Sequence, residues 1–427
     1  MKRRYSILLV ATMLLSILST ACSSGKEAIK YEGNSDMKAT LTIMTMNQED
    51  AVRRDYGDKF NTKFPNVDIK IVNYFGSNMT KVMEAEKPDV LMLNVQDYEQ
   101  LIQENKLYDL DSILKNEAFK LDGINPKFLK LLRGVGGGKL YGLPPSFTSE
   151  AIYYNKDLFD RYQIPYPQDK MTWQEIIELA KRFPVEDGGS GLYIRNMAVL
   201  VENLAASGNL GWYNVRDMKM TINTESYKKI FETVIDAYQS KAVVMPDLEP
   251  GNYDDPFVQG TSAMTVEPYY YMNNNLNSAK PFNWDLASAP VNESSRDSYP
   301  YNLIDISCIN AESTQQQAAW EFIKLVNGEE LAKVRSKTSG ISPSTRTEYI
   351  YNPDGRRLEA FYTLEPQDKR MPADYYALPP DDFFYLLKQV INTELNEVVG
   401  GTKTLEEAMA SMQMGGQQLL DTKDETP

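Results

Sequence analysis

Residues 39–72 read ATLTIMTMNQEDAVRRDYGDKFNTKFPNVDIKIV. Three patterns follow one another in this stretch. Residues 39–46 alternate and are rich in β-branched side chains, which predicts a strand. Residues 49–63 place Tyr56 and Phe60, with Phe64 just beyond, on one side of an amphipathic helix that Pro65-Asn66 stops. Residues 67–72 alternate again. Strand, helix, strand is a βαβ unit, which implies a parallel sheet with a right-handed crossover. Further out, Pro88-Asp89-Val90-Leu91-Met92-Leu93 ends in an unbroken apolar run, the signature of a central buried strand. It gives way to polar Asn94-Val95-Gln96-Asp97, a helix over about 97–105 and a helix-like stretch over 111–118.

Beyond this unit the pattern stays mixed α/β. Gly134-Val135-Gly136-Gly137-Gly138-Lys139 invites a phosphate-loop reading, but Arg133 occupies the first glycine position and Leu140 the Ser/Thr position. The motif fails twice and reads as a glycine turn. Strands are predicted over 150–155, 191–194, 262–266 and 303–309, the last carrying Cys308 as a small buried hydrophobe. Helices are predicted over 172–183, where Thr172 and Glu175 form a capping box, over 225–240, over 318–326 with Thr314 and Gln317 as a second box, over 382–398, and over 405–420 with Thr404 and Glu407 as a third.

Composition narrows the chemistry. The chain has 427 residues, net charge −14, no histidine and two cysteines. Without histidine there is no Ser-His-Asp or Cys-His pair and no His-ligated zinc. Two cysteines allow neither a disulfide scaffold nor a four-cysteine metal site. A sequence pI near 4.8 argues against nucleic acid as partner. No cofactor and no metal are expected.

The N-terminus reads as an address. Lys2, Arg3 and Arg4 precede an apolar stretch, 7–18, too short for a bilayer of ~30 Å and suited to a signal peptide. Leu18-Ser19-Thr20-Ala21-Cys22 resembles a bacterial lipobox, with Ser19 where Leu, Val or Ile is preferred. Cleavage before Cys22 removes three positive charges and takes the net charge from −14 to −17. Residues 1–21 are thus expected to be a signal peptide, Cys22 the lipid attachment point, and 22–38 a flexible tether to the outer face of the cell membrane.

The order of segments resembles extracellular solute-binding protein family 1, the sugar-binding lipoproteins of ABC importers related to maltose-binding protein. Four places carry the resemblance. They are the 41–45 strand with Phe60-Asn61-Thr62-Lys63-Phe64-Pro65-Asn66-Val67; Lys87-Pro88-Asp89-Val90-Leu91-Met92-Leu93 with Leu107-Tyr108-Asp109-Leu110; Gly138-Lys139-Leu140-Tyr141-Gly142-Leu143-Pro144 running into 152–159 and Thr172-Trp173-Gln174-Glu175; and Gly260-Thr261-Ser262-Ala263-Met264 with Ala319-Trp320-Glu321-Phe322-Ile323. The resemblance spans about 39–420. It implies an α/β periplasmic-binding-protein-like fold: two discontinuous lobes, a hinge and a cleft between them. Lobe one would take 39–147 and 301–344, lobe two 148–300 and 345–420, with crossings near 146–151, 299–303 and 341–345 and a tail at 421–427. It also implies ABC permease subunits as partners on separate chains, and a monomer.

Ligands of open α/β lobes gather at the carboxyl ends of parallel strands. That rule selects Asn47 and Gln48 after the first strand, and Asn94, Gln96 and Asp97 after the third, residue types that hydrogen-bond sugar hydroxyls. Arg195 and Asn196 follow the 191–194 strand, and Arg195 could grip a carboxylate. Sugar C–H faces pack on rings, which selects Trp212, Tyr213, Tyr269, Tyr270 and Phe384. Relatives place an aromatic just after the Gly-Thr-Ser-Ala-Met strand, where Glu267-Pro268-Tyr269-Tyr270-Tyr271 stands. Ser146 sits at the first crossing. The alternatives are the same fold holding a peptide, a polyamine or a phosphorylated solute, a sensory or structural lipoprotein, and a glycosidase using Glu267 with Asp97.

Overall fold

The structure is a computed structural model that describes residues 36–115, 119–185, 189–214, 217–244, 255–278, 281–338, 340–367 and 382–422. The leader, Cys22 and most of the tether lie outside the described residues, as do 116–118 and the last five residues of the tail. Sixteen strands are described: β1 (Ala39–Thr45), β2 (Val67–Asn73), β3 (Val90–Leu93), β4 (Gly142–Leu143), β5 (Ser146–Thr148), β6 (Glu150–Asn155), β7 (Ser190–Tyr193), β8 (Tyr213–Asn214), β9 (Lys219–Met220), β10 (Val243–Val244), β11 (Ser262–Pro268), β12 (Trp284–Ser288), β13 (Ser298–Tyr299), β14 (Asn302–Ile304), β15 (Ile306–Ile309) and β16 (Glu365–Pro366).

Two five-stranded sheets organise the chain into two lobes. The first has the order β2-β1-β3-β15-β4, the second β10-β7-β11-β6-β12. β1 pairs in parallel with both β2 and β3, so the opening βαβ unit forms as its sequence expects. β3 is central and buried at all four positions; it is parallel to β1 but antiparallel to β15, so the sheet is mixed and not wholly parallel as the sequence implies. The helical stretch 49–63 is continuous but π-wound over Arg53–Gly57. The boxes at Thr172–Glu175 and Thr404–Glu407 both close. The box expected at Thr314 does not: that helix starts at Gln316, and its N-cap Gln315 makes no side-chain cap. Gly137 and Gly138 take φ of 61° and 95°, the left-handed turn that a glycine run permits between helix Pro126–Val135 and β4.

The expected 303–309 strand is broken. Asp305 takes φ 57° between β14 and β15, so the chain leaves one ladder and enters another. β15 joins the first sheet beside β3. β14 instead pairs with β5 as a separate antiparallel ribbon, and Ser344 bridges to Ser146 on the same strand. Three stretches of chain thus run side by side between the sheets. Residues 345–350 still bind the first lobe: the buried Arg346 donates to the Asn327 carbonyl at 2.7 Å and to the Lys120 carbonyl at 3.0 Å.

One apolar core fills the first lobe and continues along one face of the second sheet through Tyr153, Phe257 and Phe361. A second core fills the other face, beneath helices Met197–Ser207, Glu225–Gln239, Phe383–Val399 and Leu405–Asp421. Cys308 is a free thiol, 0% exposed, in the first core. No helix among the described residues is long and apolar enough to cross a membrane.

Candidate functional site

The β5–β14 ribbon fixes where strand ends meet. Ile306 of β15 stands opposite Leu93, the last residue of β3, while Ile304 of β14 stands opposite Ser146. The carboxyl end of β3 therefore opens beside the ribbon. On the other side β6 begins at Glu150, one residue past β5, and stands opposite Pro268, the end of β11. β7 runs parallel to β11. Both sheets thus direct the carboxyl ends of parallel strands at the same ribbon.

On the first lobe these ends carry two hydrogen-bonded groups. Asn47 donates from its side-chain amide to Asp305 at 2.7 Å, and Tyr56 donates to the other Asp305 oxygen at 3.0 Å. Arg335 in turn donates to the Tyr56 hydroxyl and lies over its ring. Burial raises the Asp305 carboxyl, against the two donors and Arg335. In the second group Asn94 caps the helix Val95–Gln103 by accepting from the Asp97 amide at 2.7 Å. Asp97 accepts from Tyr74 at 2.7 Å and from the Asn94 amide at 3.0 Å. Burial still outweighs these donors and raises the Asp97 carboxyl. Gln96 lies half-buried in the first turn of that helix. Gln48 is exposed at the helix start and makes no cap with its side chain.

The second lobe holds a recess of about 160 Å³ at the ends of β7 and β11. Glu150, Arg195, Glu267 and Tyr270 supply its polar lining, and Ile194, Val199, Val266 and Pro268 its apolar wall. Desolvation by burial, then the neighbouring Glu150 charge, pushes Glu267 up to about 8; Asp255 adds to this and Arg195 opposes it. Desolvation likewise pushes Glu150 up to about 7, eased by the Tyr299 hydroxyl that donates to it at 3.3 Å and raised further by Glu202. Arg195 is exposed and is hydrogen-bonded to the Tyr193 hydroxyl. Tyr270 is 40% exposed. A recess with ionisable donors and acceptors beside one open ring can bind hydroxyl-rich or charged solutes.

The other residues singled out from the sequence have different surroundings. Asn196 caps the helix Met197–Ser207, accepting from the Val199 amide at 3.0 Å. Trp212 is 3% exposed and stacks on Tyr227 with centroids 5.5 Å apart, inside the second core. Tyr213 and Phe384 both pack there around Phe383. Tyr269 is 5% exposed and meets Phe361 edge-on. Ser146 is buried in the ribbon. The structure thus brings Arg195, Glu267 and Tyr270 together and keeps Trp212 and Tyr269 in packed cores, because neighbouring rings enclose them. Glu150, Tyr74 and Asp305 also belong to these groups, and the sequence alone does not single them out. Glu150 opens an alternating strand opposite Pro268, the neighbour of Glu267, and only the pairing of β6 with β11 brings both carboxyls to the one recess.

Comparison with known proteins agrees with this architecture. The pattern of the bacterial extracellular solute-binding proteins matches residues 46–333, and the chain belongs to that family. A mannitol-binding protein of Pseudomonas aeruginosa is 28% identical over 200 residues, 42% of this chain and 43% of its own length. The match therefore spans less than half of that relative. An extracellular solute-binding protein of family 1 from Alicyclobacillus acidocaldarius superposes with a TM-score of 0.66 at 18% identity, covering 92% of this chain and 100% of the other. An ABC substrate-binding protein of Listeria monocytogenes, solved with cycloalternan, gives 0.57 at 21% identity, covering 91% and 100%. These likenesses establish a two-lobe, periplasmic-binding-protein-like fold.

Proposed function

We propose that the chain is the receptor of an ABC importer and that it captures a carbohydrate between its lobes for delivery to a separate permease. The observation that carries this reading is the convergence of strand ends from both sheets on the β5–β14 ribbon, with the recess around Tyr270 on one side and Asn47, Asn94 and Asp97 on the other. A solute touching both lobes binds only their closed arrangement, so binding shifts an open–closed equilibrium. The ligands of similar proteins, mannitol and cycloalternan, support a polyhydroxyl solute.

The reading is of a receptor and not a glycosidase. Asp97 is engaged by Tyr74 and Asn94, which leaves it poorly placed to act with Glu267 as an acid–base pair. The protein is taken to be a monomer on the outer face of the membrane, held by lipid on Cys22. Mass spectrometry of the mature protein tests the anchor: an unlipidated Cys22 would remove it.

A thermal-shift screen with mono- and oligosaccharides, uronic acids, peptides and polyamines tests the function, because a ligand of the folded state raises the melting temperature by mass action. A rise with a carbohydrate that is afterwards recovered unaltered supports the reading. A rise with peptide alone, or hydrolysis of the sugar, overturns it.

A further inference from the structure

The recess at the end of β11 has a sign, and it is opposite to the one Arg195 alone suggests. We propose that this recess is the subsite for a positively charged group of the solute, so that the captured carbohydrate carries a protonated amine. The inference rests on the receptor reading above and narrows its substrate class.

Two carboxyls, Glu150 and Glu267, line the recess against one cation, Arg195. The charges behind them are also acidic. Asp255, which accepts from Tyr271 at 2.8 Å, lies near Glu267; Glu202, paired with Lys388 at 2.7 Å, lies near Glu150. Among the described residues the Glu267 carboxylate makes no hydrogen bond or ion pair, and Arg195 is engaged by Tyr193 instead of closing on it. The exposed ring of Tyr270 offers a face to a cation. A volume of about 160 Å³ is small beside the roughly 300–1,000 Å³ of a whole-ligand pocket, so it takes one end of the solute.

Burial favours the neutral form of both carboxyls, so the recess holds protons to a higher pH than free carboxyls do. An arriving ammonium group stabilises their ionised forms and expels protons. An anionic group draws protons in. A neutral hydroxyl leaves the count nearly unchanged. The direction of proton exchange therefore reports the class of solute.

The test is calorimetry of the purified protein at pH 7 in two buffers of different ionisation heat. The probes are glucosamine oligosaccharides, their N-acetylated counterparts, malto-oligosaccharides, a uronic acid oligomer and spermidine. The expected result is that the amine-bearing oligosaccharides bind best and that, once the proton taken up by the amine itself is subtracted, the protein releases protons on binding. Glu267→Gln should erase the preference for amine over N-acetyl, and Arg195→Met should strengthen amine binding. Tighter binding of neutral or acidic oligosaccharides, proton uptake, or an amine preference that survives Glu267→Gln would overturn the inference and leave the carbohydrate receptor standing. Spermidine binding with proton release and silence from every carbohydrate would keep the cationic subsite and overturn the carbohydrate reading. Silence from all five probe classes would count against both.

Discussion

Asn47 donates its side-chain amide to the Asp305 carboxylate across 2.7 Å, tying the end of β1 to the break between β14 and β15. Asp305 sits at φ 57°, a conformation that Asp and Asn tolerate better than most residues. Asp305→Ala loses both donors' acceptor and keeps the backbone strain, so it should lower stability by roughly 2 kcal/mol. Asp305→Asn keeps an acceptor and the tolerance and should lose less. Urea denaturation of the two variants decides; equal losses would contradict this account of the position.

Stability should depend on pH through the recess. The folded-state pKa values of Glu150 and Glu267 are raised to about 7 and about 8, above their usual carboxylate range. The folded protein therefore holds protons that the unfolded chain has released. The favourable contribution is fully present below about pH 4.5 and is lost as pH rises toward 8. The melting temperature of the ligand-free protein should fall over that window, and Glu267→Gln should flatten the fall. A melting temperature that climbs over the same window would contradict the raised values.

The two ring environments should separate in mutants. Trp212, stacked on Tyr227 in the second core, should cost about 3–5 kcal/mol of stability when replaced by alanine. Tyr270→Ala, at an exposed ring, should change stability by no more than about 0.5 kcal/mol. It should nevertheless weaken the solute roughly tenfold, a stacking loss of about 1.4 kcal/mol. Paired melting and binding curves read both effects.

Close packing around the free thiol makes a third contrast. A Cβ at Gly142 would stand 2.5 Å from the Cys308 sulfur and 2.7 Å from the Ile306 side chain. Gly142→Ala should therefore cost about 1–3 kcal/mol by overpacking between β4 and β15. Burial also raises the Cys308 thiol, so a thiol reagent should label the native protein only as it unfolds. Rapid labelling under native conditions would contradict this burial.

The elements were legible where the signal is local. The alternation of 39–46, the apolar run of 90–93 and the boxes at Thr172 and Thr404 each act within a few residues, and each element forms. The break at Asp305 was not legible. Residues 303–309 alternate as one strand, and what interrupts them is a partner exchange between β5 and β3, set by chain far away in sequence. The same holds for the site. Arg195, Glu267 and Tyr270 follow from the rule that ligands gather at strand ends, but the rule cannot tell an open ring from an enclosed one. Trp212 and Tyr269 look equally suitable in sequence, and only packing against Tyr227 and Phe361 distinguishes them. The sign of the recess was likewise hidden, because Glu150 and Glu267 are far apart in sequence and share the recess only once β6 pairs with β11.

A single solute held by both lobes across the β5–β14 ribbon would draw the lobes together. Small-angle X-ray scattering of the protein, with and without the carbohydrate that most raises its melting temperature, tests this most directly. Saturating solute should lower the radius of gyration as the lobes close, and Tyr270→Ala should shift this change to higher solute concentration. A solute that binds tightly yet leaves the scattering curve unchanged would contradict it.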